Sequence, residues 1–405
     1  MTRLPPVDWL SDPATVAVMD ALEAEGGAGC ARFVGGCVRN TLMGVEVDDV
    51  DIATVLTPDL VVRAVEAAGL RAVPTGIDHG TVTVVSRHRG FEVTTLRRDV
   101  ETDGRRAVIA FTDDWREDAE RRDFRLNALY ADRAGEVFDP VGGGVDDAEF
   151  GRIVFVGDAE TRIREDYLRI LRFFRFFAWY GRGDPDATGL EACARLKDGI
   201  GRLSAERISK ELLKLLAAPD PRLAVRLMRD TGVLDQVLPG ELRHDRFESL
   251  VELGEGDAVL RLSALLPDEP TDVAAVAERL RLSNAQRDRL VEAAQSDPPV
   301  TLDITPHAAR AAIYRLGAAA FDDRVRRAWA EAPEHSEAAR ALLALAGSWI
   351  PPKLPVGGAE AKAAGLEGPA VGRALKAVED WWIAEDFPAG GALERLHAVA
   401  RGDVA

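Results

Sequence analysis

The chain has little cysteine, little histidine and few aromatic residues for its length. Among 405 residues there are three Cys, six His and 6% Phe, Trp and Tyr. Cys30, Cys37 and Cys193 are odd in number and widely spaced, which excludes a disulfide framework and a zinc-type cluster and predicts a reducing, cytoplasmic setting. Six scattered histidines are too few for the histidine-rich phosphohydrolase site that His244-Asp245 would otherwise suggest. No stretch nears the roughly 18 uninterrupted apolar residues of a membrane span, so no membrane association is expected. The start, Met1-Thr2-Arg3-Leu4-Pro5-Pro6, lacks the apolar centre of a secretion leader. Positive charge is also in short supply, with 51 Lys and Arg against 68 Asp and Glu and a net charge of −17.

A net charge of that sign argues against a nucleic-acid partner only if it is evenly spread, since affinity for a polyanion comes from local cations. It is not evenly spread. The stretch 161–229 is dense in arginine and lysine, from Arg162 and Arg164 through Arg207, Lys210 and Lys214 to Arg229, with fewer acids between them. On charge alone this island reads equally well as a solvated helical surface. The length exceeds what one compact core holds and predicts several units.

The first 150 residues read as mixed α/β. A helix is expected from Asp12-Pro13 to about Glu25, a short strand over Ala31–Val34, and a strand over Asp49–Thr54. Thr57-Pro58 predicts the start of a helix through Ala67. Thr81–Ser86 and Phe91–Leu96 flank the polar Arg87-His88-Arg89-Gly90 and predict a hairpin. Arg97–Asp114, with Gly104 at its centre and Arg97, Arg98, Arg105 and Arg106 around it, reads as a mobile excursion. From about Asp158 the pattern turns helical: Glu165–Tyr180 carries apolar residues at helical spacing, and Ser204 is placed to cap a helix through Leu216. Breaks are expected near Pro267–Pro270, Pro298-Pro299 and Pro351–Pro355.

Three patches carry chemistry. Gly35-Gly36 lies where a strand passes into a helix, so backbone amides can approach a phosphate at the helix N-terminus, and Arg39 sits on the face that can fold back towards it. In a strand, Asp49 and Asp51 project to the same side about 7 Å apart along the chain. Two such carboxylates repel unless a cation lies between them, and Mg2+ suits a site shared with substrate phosphates. Glu92, between Phe91 and Val93, is the candidate third carboxylate of a site for two such ions. In the second patch, Arg121–Ala128 is expected to open a helix that puts Asp123 and Asn127 on one face for sugar hydroxyls, with Arg122 free for phosphate or base. In the third, Asp166 and Arg169 are expected as neighbours on a helix. Cytosine and adenine each show an exocyclic amino donor beside a ring-nitrogen acceptor, whereas uracil and guanine show a carbonyl beside an N–H. A carboxylate and a guanidinium side by side therefore select C and A, at about 1–3 kcal/mol per mismatched contact. The bland reading of the same pair is a surface salt bridge of roughly 0–1 kcal/mol. Arg172 and Arg175 follow on the same side for phosphates. Phe173, Phe174, Phe176 and Phe177 are expected in the core, and Arg207 and Glu211 as braces of their own helix.

The stretches FVGGCVRNTLMGVEVDDVDIAT, PTGIDHGTVTVV, RRDFRLNALYAD, DPVGGGVDD, REDYLRILRFFRF and LSAERISKELLKLL resemble, in order over about 31–216, those of the bacterial class II tRNA nucleotidyltransferases, the CCA-adding enzymes and their poly(A) polymerase relatives. The tail is a looser match around Val371–Phe387. The resemblance implies an α+β chain with a polymerase-β-like nucleotidyltransferase head over 1–150, then an all-helical neck over 151–235 that bears the base-recognition helix, a body over 236–345 and a tRNA-binding tail over 346–405. It implies Mg2+, as two ions, at Asp49 and Asp51 with Glu92 assisting, and CTP and ATP as substrates with tRNA as partner. It further implies triphosphate contacts at Gly35, Gly36 and Arg39, ribose and phosphate contacts at Arg122, Asp123 and Asn127, base reading at Asp166 and Arg169, and further nucleotide contacts at Arg172 and Arg175. The 97–114 excursion matches the mobile loop of that family. Two positions depart from the family pattern: Asn40 stands where Asp is usual, and Arg125 where Thr is common. A poly(A) polymerase, a partial CC- or A-adding enzyme and a non-catalytic RNA-binding protein are the competing expectations.

Overall fold

The computed structural model describes residues 2–77, 80–103 and 106–404. Contacts divide the chain into two units, Met1–Gly240 and Glu241–Ala405. Asp78, His79, Gly104 and Arg105, the last two at the centre of the expected excursion, lie outside the described residues.

In the first unit the chain runs through α1 (Asp8–Ser11), α2 (Pro13–Gly26), β1 (Ala31–Val34), α3 (Gly36–Met43), β2 (Asp51–Thr54), α4 (Pro58–Ala67), β3 (Arg71–Gly76), β4 (Thr81–Ser86), β5 (Arg89–Thr95), β6 (Arg97–Asp103), β7 (Arg106–Phe111), α5 (Trp115–Glu120), β8 (Tyr130–Ala131), β9 (Val137–Phe138) and α6 (Gly144–Phe150). Helices follow: α7 (Ala159–Glu165), α8 (Leu168–Tyr180), α9 (Ala187–Leu196), α10 (Ala205–Leu216), α11 (Arg222–Asp230) and α12 (Val233–Val237). One seven-stranded sheet has the order β3-β4-β5-β2-β1-β8-β9, and β6 and β7 form a separate two-stranded ribbon. Within the large sheet β2 and β5 run parallel, with Asp51 opposite Glu92 and Ile52 opposite Val93.

Local chemistry explains most of these elements. The Asp12 carboxylate accepts from the Ala14 amide ahead of α2, with Pro13 in the first turn. Arg87 and His88 adopt φ of 47° and 66° between the paired residues Ser86 and Arg89, which makes a two-residue turn of the kind that suits twisted hairpins. Thr57 and Ser204 occupy their cap positions without a side-chain cap bond. The prolines expected to break helices fall between elements or, as with Pro270, at a first helical position.

Three elements differ from expectation. β2 begins at Asp51, not Asp49, because β1 ends at the Gly35 turn and Ile52–Phe33 is the last pair on that side; Asp49 lies in the exposed connection before the strand. Arg121–Ala128 is not a helix. Its backbone is taken by the 154–156 stretch, through Arg125 N to Val154 O at 2.9 Å, Val156 N to Asp123 O at 3.0 Å and a Phe124–Phe155 bridge, leaving only a 3-10 turn over Arg125–Asn127. The helix expected across Glu165–Tyr180 is broken at Asp166, which has φ −153° and whose carboxylate accepts from the Leu168 amide at 3.1 Å to start α8. The 97–114 excursion is built on the antiparallel β6–β7 ribbon.

The expected core phenylalanines of α8 are all buried. Phe173 stacks on Phe155 at 5.7 Å with planes 7° apart, and Phe124 lies against Phe155 and Phe176. This aromatic cluster packs the Arg121–Asn127 stretch against α8. The second unit contains, among the described residues, ten α-helices from His244–Glu252 to Ala392–Arg401. It has one core around Ile313, Phe321, Val325 and Trp329 and another around Val356, Val378 and Leu396.

Because Phe173 is fully buried and central to the cluster, Phe173→Ala leaves a cavity beside α8. Urea unfolding is expected to show a loss of about 3–5 kcal/mol; a loss under about 1 kcal/mol would mean that the cluster does not hold this helix in place.

Candidate active site

The site begins with the turn between β1 and α3. Gly35 has φ 68° and ψ −113°, a backbone that a residue with Cβ adopts only under strain. A Cβ there would meet Arg122 Nη1 at 3.5 Å. Gly36 then opens α3, whose first amides have no helical partner and present positive charge.

One cavity of about 530 Å³ gathers the three sequence patches. Its lining includes Gly35, Gly36, Arg39 and Asp51, then Arg122, Asp123 and Asn127, then Asp166, Arg169 and Arg172. It also includes Arg97, Arg121, Leu168, Phe176 and Arg207. Asp49, Glu92 and Arg175 are not on that lining. Arg175 donates to Glu211 and lies over Phe176, so it is held behind the cavity wall and does not face the cavity as expected. A larger groove of about 950 Å³, lined by Trp9, Thr41, Glu46 and Arg89 among others, holds none of the candidate residues.

Seven arginines and three acidic residues line the cavity, and the cations are kept in place by buried acceptors. Asp118 on α5 is 1% exposed. Its Oδ1 accepts from Arg121 Nη2 at 2.7 Å and from the Arg97 amide at 3.3 Å, and its Oδ2 accepts from Arg122 Nη2 at 3.0 Å and the Tyr130 hydroxyl at 2.7 Å. Burial alone would push the Asp118 carboxyl up, but Arg122 and Arg121 outweigh it and hold it well below the usual carboxylate range. Asp123 receives Asn127 Nδ2 at 3.0 Å and Arg172 Nε at 2.7 Å, and these partners likewise overcome burial and keep it low. Asp123 and Asn127 thus meet without the helix expected to align them.

Asp166 and Arg169 both face the cavity, but their side chains do not bond to each other; the only bond between them is from the Arg169 amide to the Asp166 carbonyl at 3.0 Å. Asp166 Oδ2 accepts from Arg207 Nη2 at 2.6 Å. Arg169 Nη1 donates to Glu165 Oε2 at 2.5 Å and to the Arg162 carbonyl at 2.8 Å. Arg207 is therefore more than the brace of its own helix that its spacing suggested. Arg207 carries no local sequence signal for its contact, because Asp166 lies 41 residues away; Asp118 stands three and four residues before Arg121 and Arg122, a helical spacing, whereas its bond from the Arg97 amide spans 21 residues.

The carboxylates suit a divalent ion shared with a substrate. Asp51 is pushed up to about 6, by burial first and then by the charges of Glu92 and Asp49, with Arg122 opposing. Acids crowded in this way favour a bound cation. Among the described residues no three metal-type side chains form a ready-made cage. The donor set fits Mg2+, which takes one or two protein carboxylates together with substrate phosphates and water, and does not fit an ion held by protein alone.

Residues 31–154 match the family described as the poly A polymerase head domain, and residues 186–242 match the probable RNA and SrmB-binding site of polymerase A. The chain is 40% identical over 265 residues to a mouse (Mus musculus) mitochondrial CCA tRNA nucleotidyltransferase 1, which is 63% of this chain and 60% of that protein. It is 41% identical over 209 residues to a CCA-adding enzyme of Oceanobacillus iheyensis, 51% of this chain and 50% of that one. The matches therefore span between half and three-fifths of these curated relatives. The fold is similar over 96% of the chain to a Bacillus stearothermophilus CCA-adding enzyme solved with CTP, with TM-score 0.72, 26% identity and 98% of that chain covered.

Asp118→Asn removes the charge that balances two cavity arginines, and urea unfolding at pH 7 is expected to lose about 3 kcal/mol. Since pairing holds Asp118 below the roughly 3.9 of a free aspartate, its contribution is whole above that pH and is lost as pH falls towards the lower folded-state value. The gap between wild type and variant should thus narrow by about 1 kcal/mol at pH 3. A gap that stays constant between the two pH values would rule out an ionised hub.

Proposed function

Because this chain belongs to the family of CCA-adding enzymes and their poly(A) polymerase relatives, we propose that it adds C, C and A stepwise to the 3′ end of tRNA, from CTP and ATP and without a nucleic-acid template. The observation that carries this reading is the single cavity that unites Asp51, the Gly35-Gly36 turn and the Asp166 and Arg169 side chains from three distant stretches. The buried, free cysteines support a reducing, cytoplasmic compartment. Among the described residues no helix is long and apolar enough to cross a membrane.

The chain's own residues bind and orient the substrates. Amides at the start of α3 and the Arg39 guanidinium take the β- and γ-phosphates. Arg122 and Arg172, anchored by Asp118 and Asp123, balance the remaining phosphate charge. Asn127 and Asp123 close the sugar side while holding Arg39 and Arg172. Asp166 accepts from the exocyclic amino group of C or A, and Arg169 donates to the ring nitrogen. Arg207 holds Asp166 at 2.6 Å and fixes the orientation of its carboxylate. The terminal 3′ hydroxyl of the tRNA loses its proton to solvent as its oxygen attacks the α-phosphorus; the new O–P bond forms as the bond to pyrophosphate breaks. Mg2+, as two ions held by Asp49 and Asp51 with Glu92 alongside, would supply a lowered pKa for the attacking hydroxyl and compensation of the developing charge. Fixed alignment of the two substrates contributes much of the remaining acceleration. The helical region after the head, including the tail over 346–405, supplies the tRNA-binding surface.

Sequencing the 3′ ends made on tRNA trimmed of its terminus is expected to show CCA with CTP plus ATP. Long A tracts on unrelated RNA would overturn the reading. Asp49→Ala and Asp51→Ala should abolish addition with the melting temperature kept near that of the wild type; an active, folded double variant would refute the metal assignment.

Asp166→Ala removes the acceptor for the amino group. Discrimination of CTP over UTP, measured as a ratio of kcat/KM, is expected to fall by about 5- to 150-fold, as one lost polar contact of about 1–3 kcal/mol implies. Unaltered discrimination would remove Asp166 from base reading.

A further inference from the structure

Asn40 sits between two groups of opposite hydrogen-bonding character. On one side its Oδ1 accepts from Arg39 Nε at 3.0 Å and Nη2 at 2.7 Å. On the other its Nδ2 donates to the Glu46 carbonyl at 2.7 Å. A guanidinium can only donate and a carbonyl can only accept. The bridge therefore needs a side chain with one acceptor and one donor in a fixed plane, and an amide meets that demand where a carboxylate does not. The backbone of the same residue adds a third hold, since its carbonyl accepts from the Val45 amide at 2.8 Å. Asn40 thus grips the start of the connection that leads to Asp49 and Asp51 through both its backbone and its side chain.

The partners of Arg39 complete the argument. Its guanidinium is buried, and it donates to Asn40, to Asn127 Oδ1 at 2.5 Å and to the Tyr180 hydroxyl at 2.9 Å, with the Tyr180 ring 4.1 Å from its central carbon. All these acceptors are neutral. Among the described residues no carboxylate is within ion-pairing distance of Arg39, whereas Arg121, Arg122, Arg169, Arg172 and Arg207 each have one. Arg39 is thus a cavity arginine held in position without being neutralised, beside the glycine turn.

We propose that Asn40 is a positioning residue for the triphosphate: it orients Arg39 by a neutral contact, which leaves the full charge for an incoming anion, and ties that cation to the connection bearing the acidic pair. This rests on the nucleotide-transfer reading above. Asn40→Asp would place a compensating charge on Arg39 and turn an acceptor towards the Glu46 carbonyl. Asn40→Ala would remove both contacts and add no charge.

The test is equilibrium binding of inorganic tripolyphosphate, CTP and ATP to the full-length protein in EDTA, with thermal unfolding and steady-state kinetics alongside. Wild type is expected to bind all three. Asn40→Asp should weaken all three by about tenfold, as one charge compensated at close range implies. Asn40→Ala should fall between the two, and the melting temperatures should stay within about 3 °C of each other, the range of a surface-scale change. In turnover, Asn40→Asp should raise KM for CTP and ATP alike and change kcat less. Asn40→Asp binding tripolyphosphate as tightly as Asn40→Ala would overturn the charge argument, even if both melt early. A wild type that binds none of the three would overturn the nucleotide-transfer reading itself, and this proposal with it.

Discussion

A cavity that must receive a polyphosphate has to hold many guanidinium groups close together while it is empty, and like charges at that spacing repel. The structure meets this constraint with buried acceptors in and behind the lining. Asp118 balances Arg121 and Arg122, Asp123 balances Arg172, and Glu211 takes Arg175. Each acid is itself shielded from water, so its attraction for the cations is strong, and each would be costly to leave unpaired. The arrangement also rigidifies the guanidinium planes, which reduces what a ligand must order on binding.

The acidic side of the site works by the opposite logic. Asp51 and Glu92 face one another across two parallel strands, and Asp49 stands two residues before the strand. Among the described residues no salt bridge pairs these acids, and burial, with the charges of Glu92 and Asp49, pushes Asp51 up to about 6. The cation side is stabilised from within, and the acidic side is left for a cation to stabilise. This asymmetry is the electrostatic signature of a site that accepts a metal-bound phosphate chain. Arg39, oriented by amides and a phenol, lies at the junction of the two sides.

Where expectation and structure part, long-range pairing decided one outcome and a local side-chain bond the other. Arg121–Ala128 has helical character in sequence, yet its amide and carbonyl groups bond to Val154 and Val156, and local propensity yields to tertiary partners. Asp166 reads as a residue inside one long helix, but its carboxylate bonds the backbone two residues on and starts a second helix. That break turns Asp166 towards Arg207 and Arg169 towards Glu165. The two side chains still reach one cavity, although the helical-neighbour argument that paired them does not hold.

The sequence by itself determined most of the alternation of strands and helices up to about residue 96, the helical remainder after about 158, the glycine turn before α3 and which acids and arginines are candidates, because these depend on periodicity, turn chemistry and spacing within a few residues. Only the tertiary structure decided that Arg207 supports Asp166, that Asp118 anchors Arg121 and Arg122 to the Arg97 ribbon, that Arg175 is turned away from the cavity and that Asn40 joins Arg39 to the acidic connection. Most of these contacts span tens of residues, and the few that are close in sequence take their meaning from where the chain has folded: a hydrogen bond between distant residues leaves no periodic trace in either stretch, since the geometry that makes it exists only once both are packed.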